Sequence, residues 1–380
     1  MSHRKKHRIS TRPPKTTARK TRVSWWFVSI PIAGLLLVAV TSILFKRRHG
    51  ESFQAKPGSN TPVAVAKEVP GVSATPEDTV KTNEAEADDI GKATELVNRG
   101  TELLTQGKID EAVADYKEAA RLSPEDEDMH YNLALALARQ GNREAAKAEY
   151  LEALRIYPDY AEAHNNLGNL LVAERKFDDA IAHFKEALKI ASDNASAHSN
   201  LGKALALQGK FTNAIPCFRE ALRLKPDYLE AHYNLALTLA QQGQREAAEA
   251  EYLEVLRISP DYTEAHNNLG NLLVADGKYD DAIPHFKEVL KISSDNASAH
   301  NNLGNALAQQ GKFSDAIPCF RKAVRLKPDH LEARYNLAVA YLAQKQIEEA
   351  ISELTEVVRR YPDFAPAQLR LSEARQLQGK

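Results

Sequence analysis

The chain has 380 residues, a formal net charge of −1 and two cysteines. That near-neutral total hides an asymmetry: residues 1–50 carry 12 Lys+Arg and no acidic residue, residues 51–92 carry 4 against 8, and residues 93–380 carry 34 against 43. Cys217 and Cys319 stand three repeat periods apart, too far for a disulfide, and no P-loop, nucleophile elbow or metal-ligand cluster is present, so an autonomous enzyme is not indicated.

Residues 1–22 form a basic tail with nine Lys/Arg. Residues 23–45, VSWWFVSIPIAGLLLVAVTSILF, are uncharged and long enough as a helix for about 34 Å, against a hydrocarbon core of ~30 Å. They predict one transmembrane helix, with Trp25 and Trp26 at the interface and the larger basic cluster on the cytoplasmic side. The tail's charges are explained more simply by this flank than by a nucleic-acid arm. The rest of the chain is then expected outside the cytoplasm, in the periplasm if the cell is Gram-negative. Residues 46–92 are rich in Pro, Ala, Val, Thr, Ser and Glu without helical or strand period, which predicts a flexible linker.

From Ala93 the sequence repeats itself. Leu151 to Tyr233 returns almost letter for letter from Leu253 to Tyr335, an offset of 102 residues or three units of 34. Units start at residues 93, 127, 161, 195, 229, 263, 297 and 331, and a terminal helix occupies 365–380. Each unit reads as two amphipathic helices with apolar residues at three- and four-residue spacing. Position seven is Leu in the second to eighth units (Leu133 through Leu337), position eight is Gly or Ala, and position twenty is Ala in all eight. Position twenty-four is aromatic except for Leu354. Small residues facing large ones are how close-packed helices interlock. Asp159, Asp227, Asp261 and Asp329 each precede a Glu by three residues and predict capping boxes. Pro216, Pro284 and Pro318 lie about one turn into the second helix, which should continue through them.

This register, closed by Pro124, Pro158, Pro226, Pro260, Pro328 and Pro362, resembles the tetratricopeptide repeat. It departs at position four, where His130, His164, His198, His232, His266 and His300 replace the usual Trp, and where Ser192 and Ser294 replace the closing proline. The resemblance implies an all-α solenoid, a right-handed superhelix of helix-turn-helix units, whose first helices line a concave groove.

Candidate binding residues follow from that implication. Position six is Asn in every unit, from Asn98 to Asn336, although Asn is a mediocre helix-interior residue. A row of carboxamides can bind the backbone of an extended peptide, and it resembles the asparagine ladder in the repeat domain of O-linked N-acetylglucosamine transferase. The other reading is that these Asn bond neighbouring repeats. The candidate concave set is Tyr131, Asn132, Asn165, Asn166, Asn169, Asn200, Lys203, Tyr233, Asn234, Asn267, Asn268, Asn271, Asn301, Asn302, Asn305, Tyr335 and Asn336. The histidines read as packing residues, one repeat apart and too distant from one another to share a metal. The sequons at Asn194 and Asn296 are one motif copied by duplication. No catalytic residue, metal, cofactor, nucleic acid or small-molecule substrate is expected. The expected partners are protein segments, and the expected function is a membrane-anchored scaffold in a bacterial envelope assembly. The alternative is a targeting or accessory subunit of a glycosyltransferase or of cytochrome maturation.

Overall fold

The computed structural model describes residues 76–379, with side chains from Asp88 onward. The basic tail, the expected span at 23–45 and the linker up to residue 75 lie outside the described residues. Among the described residues no helix is long and apolar enough to cross a membrane.

Seventeen helices follow one another among the described residues, with no strand. The first helices of the repeats are α1 (Pro76–Thr105), α3 (Glu127–Gln140), α5 (Ala161–Ala173), α7 (Ala195–Leu207), α9 (Leu229–Gln241), α11 (Thr263–Ala275), α13 (Ala297–Gln309) and α15 (Leu331–Ala343). The second helices are α2 (Ile109–Leu122), α4 (Arg143–Ile156), α6 (Phe177–Ile190), α8 (Phe211–Leu224), α10 (Arg245–Ile258), α12 (Tyr279–Ile292), α14 (Phe313–Leu326) and α16 (Ile347–Arg360). The terminal helix is α17 (Ala365–Gln378). Seven first helices and α17 begin at the residues the repeat register predicts. The second helices α8, α12 and α14 run through Pro216, Pro284 and Pro318.

At the amino end the boundary differs. The linker was expected to reach residue 92, but α1 starts at Pro76. Proline suits a helix's first position, and Glu84, Ala85, Glu86 and Ala87 are strong helix formers. This stretch lacks an apolar stripe, which is why its period is silent in the sequence; Asp88 to Lys92 are all exposed.

Each helix packs on the helices next to it in sequence. First helices also approach the first helix of the following repeat at most boundaries, whereas second helices do not pack on one another to that extent. The array therefore curves with the first helices inside, and the buried face of each unit is covered by its neighbours. Position twenty sits at the centre of that packing: Ala112, Ala146, Ala180, Ala214, Ala248, Ala282, Ala316 and Ala350 are all fully buried. Position eight meets position twenty-four in the same unit. A Cβ on Gly168 would stand 2.6 Å from the Phe184 ring, and one on Gly270 would stand 2.7 Å from Phe286. Where position eight is Ala134 or Ala236, Tyr150 and Tyr252 take the aromatic place and are likewise buried.

The helix starts correct one expectation. Asp159, Asp227 and Asp261 do not cap α5, α9 and α11: the residues at the boundary are Tyr160, Tyr228 and Tyr262, whose side chains cap nothing. The aspartates lie one residue too early, and Asp227 instead accepts from Arg257 at 2.6 Å. Asp329 is also one residue early, with His330 Nδ1 facing the Ala333 amide at 3.4 Å. The carboxamides of Asn194 and Asn296 do act as caps, each accepting from a backbone amide at 3.0 Å. Both sequon asparagines are thus occupied in starting a helix.

Candidate functional site

The inner face is built from positions two, five, six and nine of each first helix, which share one side of it. The position-six carboxamide reaches backward over the repeat boundary. Asn166 Nδ2 donates to the Tyr131 hydroxyl at 3.1 Å, and Asn268 Nδ2 donates to the Tyr233 hydroxyl at 3.1 Å. Where position five is Asn, the same amide donates to its Oδ1: Asn200 to Asn165 at 3.0 Å, Asn302 to Asn267 at 2.9 Å and Asn336 to Asn301 at 3.2 Å. Five Asn–acceptor ties, each across 35 residues, hold neighbouring first helices in register. Asn234 differs: its Nδ2 is shut from solvent and has no partner.

Position five is cement as well as surface. Tyr131 lies between Tyr150 of its own repeat, ring centroids 6.0 Å apart, and Tyr160 at the next boundary, 4.8 Å away. Tyr233 repeats this with Tyr252 at 6.3 Å and Tyr262 at 5.2 Å. Burial and the Glu162 charge push the Tyr131 phenol up to about 12; the Tyr233 phenol moves in the same direction for the same first reason, burial. Both remain partly exposed. Tyr335 does not suit a ligand, because it is buried against Phe364 at 5.3 Å. Asn268 and Asn301 are buried too.

Position nine holds the accessible carboxamides. Asn169 is exposed, Asn271 and Asn305 are half-buried, and none forms a hydrogen bond within the described residues. Lys203 at the same place is engaged by Glu230 at 3.0 Å. The structure therefore divides the predicted set. Asn166, Asn200, Asn268, Asn302 and Asn336 tie repeats together, Asn165, Asn267 and Asn301 receive those ties, and Asn169, Asn271 and Asn305 face outward unengaged. Asn132 follows Val97, which offers no acceptor, and receives no tie of this kind.

Position four lies behind this face and closes each repeat. The Nε2 atoms of His164, His232 and His266 lie 2.8–2.9 Å from the carbonyls of Pro158, Pro226 and Pro260. Those of His198 and His300 lie 3.0 Å from the carbonyls of Ser192 and Ser294, so loss of the proline leaves the contact intact. Arg334 and Gln368 continue the series toward Pro328 and Pro362. A carbonyl only accepts, which fixes the proton on Nε2. The other ring nitrogen meets position twenty-three of the unit, on the second helix. His232 Nδ1 stands 2.6 Å from Glu251, which raises the His232 pKa. His164 and His266 instead meet His183 and His285, with Nδ1 atoms 2.9 Å apart. Burial, then the neighbouring imidazole, lowers the pKa of His183 and His285. Among the described residues no group of three or more His, Cys, Asp or Glu is placed to hold a metal.

Sequence comparison agrees with this architecture. Tetratricopeptide repeat models match residues 165–228, 199–263 and 301–365, others match 126–193 and 251–283, and a TPR repeat model matches 100–141 and 270–311. Among curated proteins none matches the chain. Among solved structures, YrrB, a TPR protein with an unusual peptide-binding site, is 25% identical at a TM-score of 0.44, covering 48% of this chain and 95% of its own. PilF of Pseudomonas aeruginosa is 24% identical at 0.49, over 55% of this chain and 95% of its own. MamA of Desulfovibrio magneticus RS-1 is 22% identical at 0.42, over 43% and 93%. The family matches run almost without a break from residue 100 to residue 365, over the same repeats whose small-to-large contacts and boundary ties are described above, and the chain belongs to the tetratricopeptide repeat family.

Proposed function

We propose that this protein is a membrane-anchored scaffold for protein–protein interaction, whose first-helix face captures extended segments of other proteins. Protein binding is the function that the repeat family supports. The observation that carries the finer reading is the division of labour among the asparagines. Position six anchors the array, while Asn169, Asn271 and Asn305 carry donors and acceptors that stay accessible on the same face. An extended backbone needs both kinds of group at regular intervals, and carboxamides supply both without reading side chains. The anchor rests on the uncharged run at 23–45 and its basic amino flank. With that orientation the repeats face the outside of the cytoplasmic membrane, within an envelope assembly. The reading assigns the chain no turnover of its own.

Two experiments test it. Full-length protein carrying N169A, N271A and N305A should capture client proteins from membranes at least tenfold less well, with an unchanged thermal midpoint. Capture at wild-type level would remove the groove from the reading. Protease added to sealed spheroplasts should digest residues beyond 50; survival of the repeats would place them in the cytoplasm instead. Recovery of one stoichiometric enzyme in place of varied clients would favour an accessory subunit.

A further inference from the structure

The second helices carry a charge pattern with one break. Position twenty-nine is Arg or Lys in all eight units, and position twenty-six is Glu in seven of them. In those seven the two side chains pair along the helix at 2.5–2.9 Å, as Arg223 does with Glu220 and Lys291 with Glu288. In the seventh unit position twenty-six is Lys322, so Arg325 meets a like charge where the others meet a carboxylate. Arg155 and Arg257 also reach back to the end of the preceding unit, at Glu125 and Asp227. The residue in that place for Arg325 is Asp295, which takes the Ser293 hydroxyl at 3.1 Å instead. Arg321, Lys322 and Arg325 share one side of α14, and Lys327 follows its last turn. Lys322 is half-buried and the other three are exposed. None of the four forms an ion pair or a side-chain hydrogen bond among the described residues.

The opposite charge stands at the other end of the array. Helix α1 starts at Pro76, ahead of the first unit, and residues 76–92 hold Glu77, Asp78, Glu84, Glu86, Asp88 and Asp89 against Lys81 and Lys92. Asp88 and Asp89 are exposed and outside any ion pair. A helix of this length is marginal in water on its own, and the stretch has no apolar stripe with which to dock on the repeats. Within one chain α1 packs on α2 and α3, far along the array from α14. We infer that the acidic start of α1 in one copy docks on Arg321, Lys322, Arg325 and Lys327 of a second copy. An anionic bilayer fits the patch less well, because residues 93–380 carry 34 basic against 43 acidic residues and are repelled as a whole. Exposed ion pairs are weak one by one and screened by salt, so the contact is reversible and salt-dependent. The inference does not rest on the groove.

Sedimentation of the full-length protein in uncharged detergent tests it. At about 50 mM salt the protein should form species heavier than one chain, and at about 500 mM these should dissociate. K322E installs the Glu that the other seven units already have, paired as Glu220 is with Arg223 at 2.7 Å, so the fold is not at stake. It should weaken association about tenfold, and D88K/D89K should do the same from the other side. Mixed in equal amounts, the two variants should associate again, because each keeps the half that the other has lost. A wild-type monomer at low salt, association unchanged in either variant, or a mixture no heavier than its parts overturns the contact. Protein that stays monomeric in uncharged micelles but binds micelles containing phosphatidylglycerol through Lys322 also overturns it and assigns the patch to the bilayer.

Discussion

Ser199 stands opposite Asn234 across the fourth repeat boundary, at the place where Tyr131, Asn165, Tyr233, Asn267 and Asn301 supply the acceptor at theirs. Its side chain is too short to reach, and the Asn234 amide is left buried without a partner. The corresponding residue three repeats later is Asn301, which accepts from Asn336 at 3.2 Å in nearly identical surroundings. S199N should therefore complete the missing tie. A hydrogen bond of this kind contributes about 1 kcal/mol, so the thermal midpoint should rise. A lower midpoint would show that Ser199, itself buried, is needed where it is.

Arg175 makes a different local error. The tight turn between the paired helices uses a left-handed residue: Gly141 has φ 90° there and Gly277 has φ 75°, but Arg175 adopts φ 62° with a full side chain. Left-handed backbone costs roughly 1–2 kcal/mol for such a residue. R175G should stabilise the protein by about 1 kcal/mol in chemical denaturation, the turn otherwise being unchanged.

The opposite substitution at a packing glycine should harm. In G168A the new methyl would lie 2.6 Å from Phe184, a ring with no room to retreat because it is fully buried. Overpacking of this sort costs about 1–3 kcal/mol. Urea unfolding of G168A measures it; a midpoint equal to wild type would mean that the two helices separate more freely than their contacts suggest.

His232 at position four and the pair His183 and His285 at position twenty-three should give opposite pH dependences. The His232 pKa is raised by Glu251, so its stabilisation is complete below about 6.5, the unfolded value, and is lost as pH rises through the folded pKa. His183 and His285 are shifted down, so their neutral pairs with His164 and His266 stabilise above about 6.5 and lose that contribution as pH falls below it. In H183Q the amide can still donate to His164 Nδ1 but cannot be protonated. Its thermal midpoint should fall less than that of wild type between pH 7.5 and pH 5.5. H232Q should lose more stability at pH 5.5 than at pH 8. Equal slopes in wild type and H183Q would dismiss the imidazole pair as a titrating contact.

Much of this was legible in the sequence because it depends on spacing within one unit. The starts of the first helices from α3 to α15 and of α17, the Ala at position twenty and the Gly168–Phe184 type of contact all follow from a 34-residue register. The asparagine ladder was visible as a row, and bonding between neighbouring repeats was one of its two readings. The partner of each rung was not, because Asn166 bonds a residue 35 positions away whose type changes from Tyr to Asn to Ser. Capping was misassigned by one residue, since Asp159 and Tyr160 both stand at the turn and only backbone geometry decides which begins α5. The aromatic contact of Tyr131 with Tyr160 likewise joins two repeats and leaves no trace in a single period.

Each rung ends at the preceding module, and each latch from position four ends at the loop that leads into its own helix. A part list in which nothing reaches beyond the adjacent piece can be lengthened by insertion in frame. The exit surface of a three-module cassette already fits the entrance of another copy, as Asn200 on Asn165 and Asn302 on Asn267 attest. A further 102 residues spliced in at the same seam should fold without any compensating change upstream or downstream.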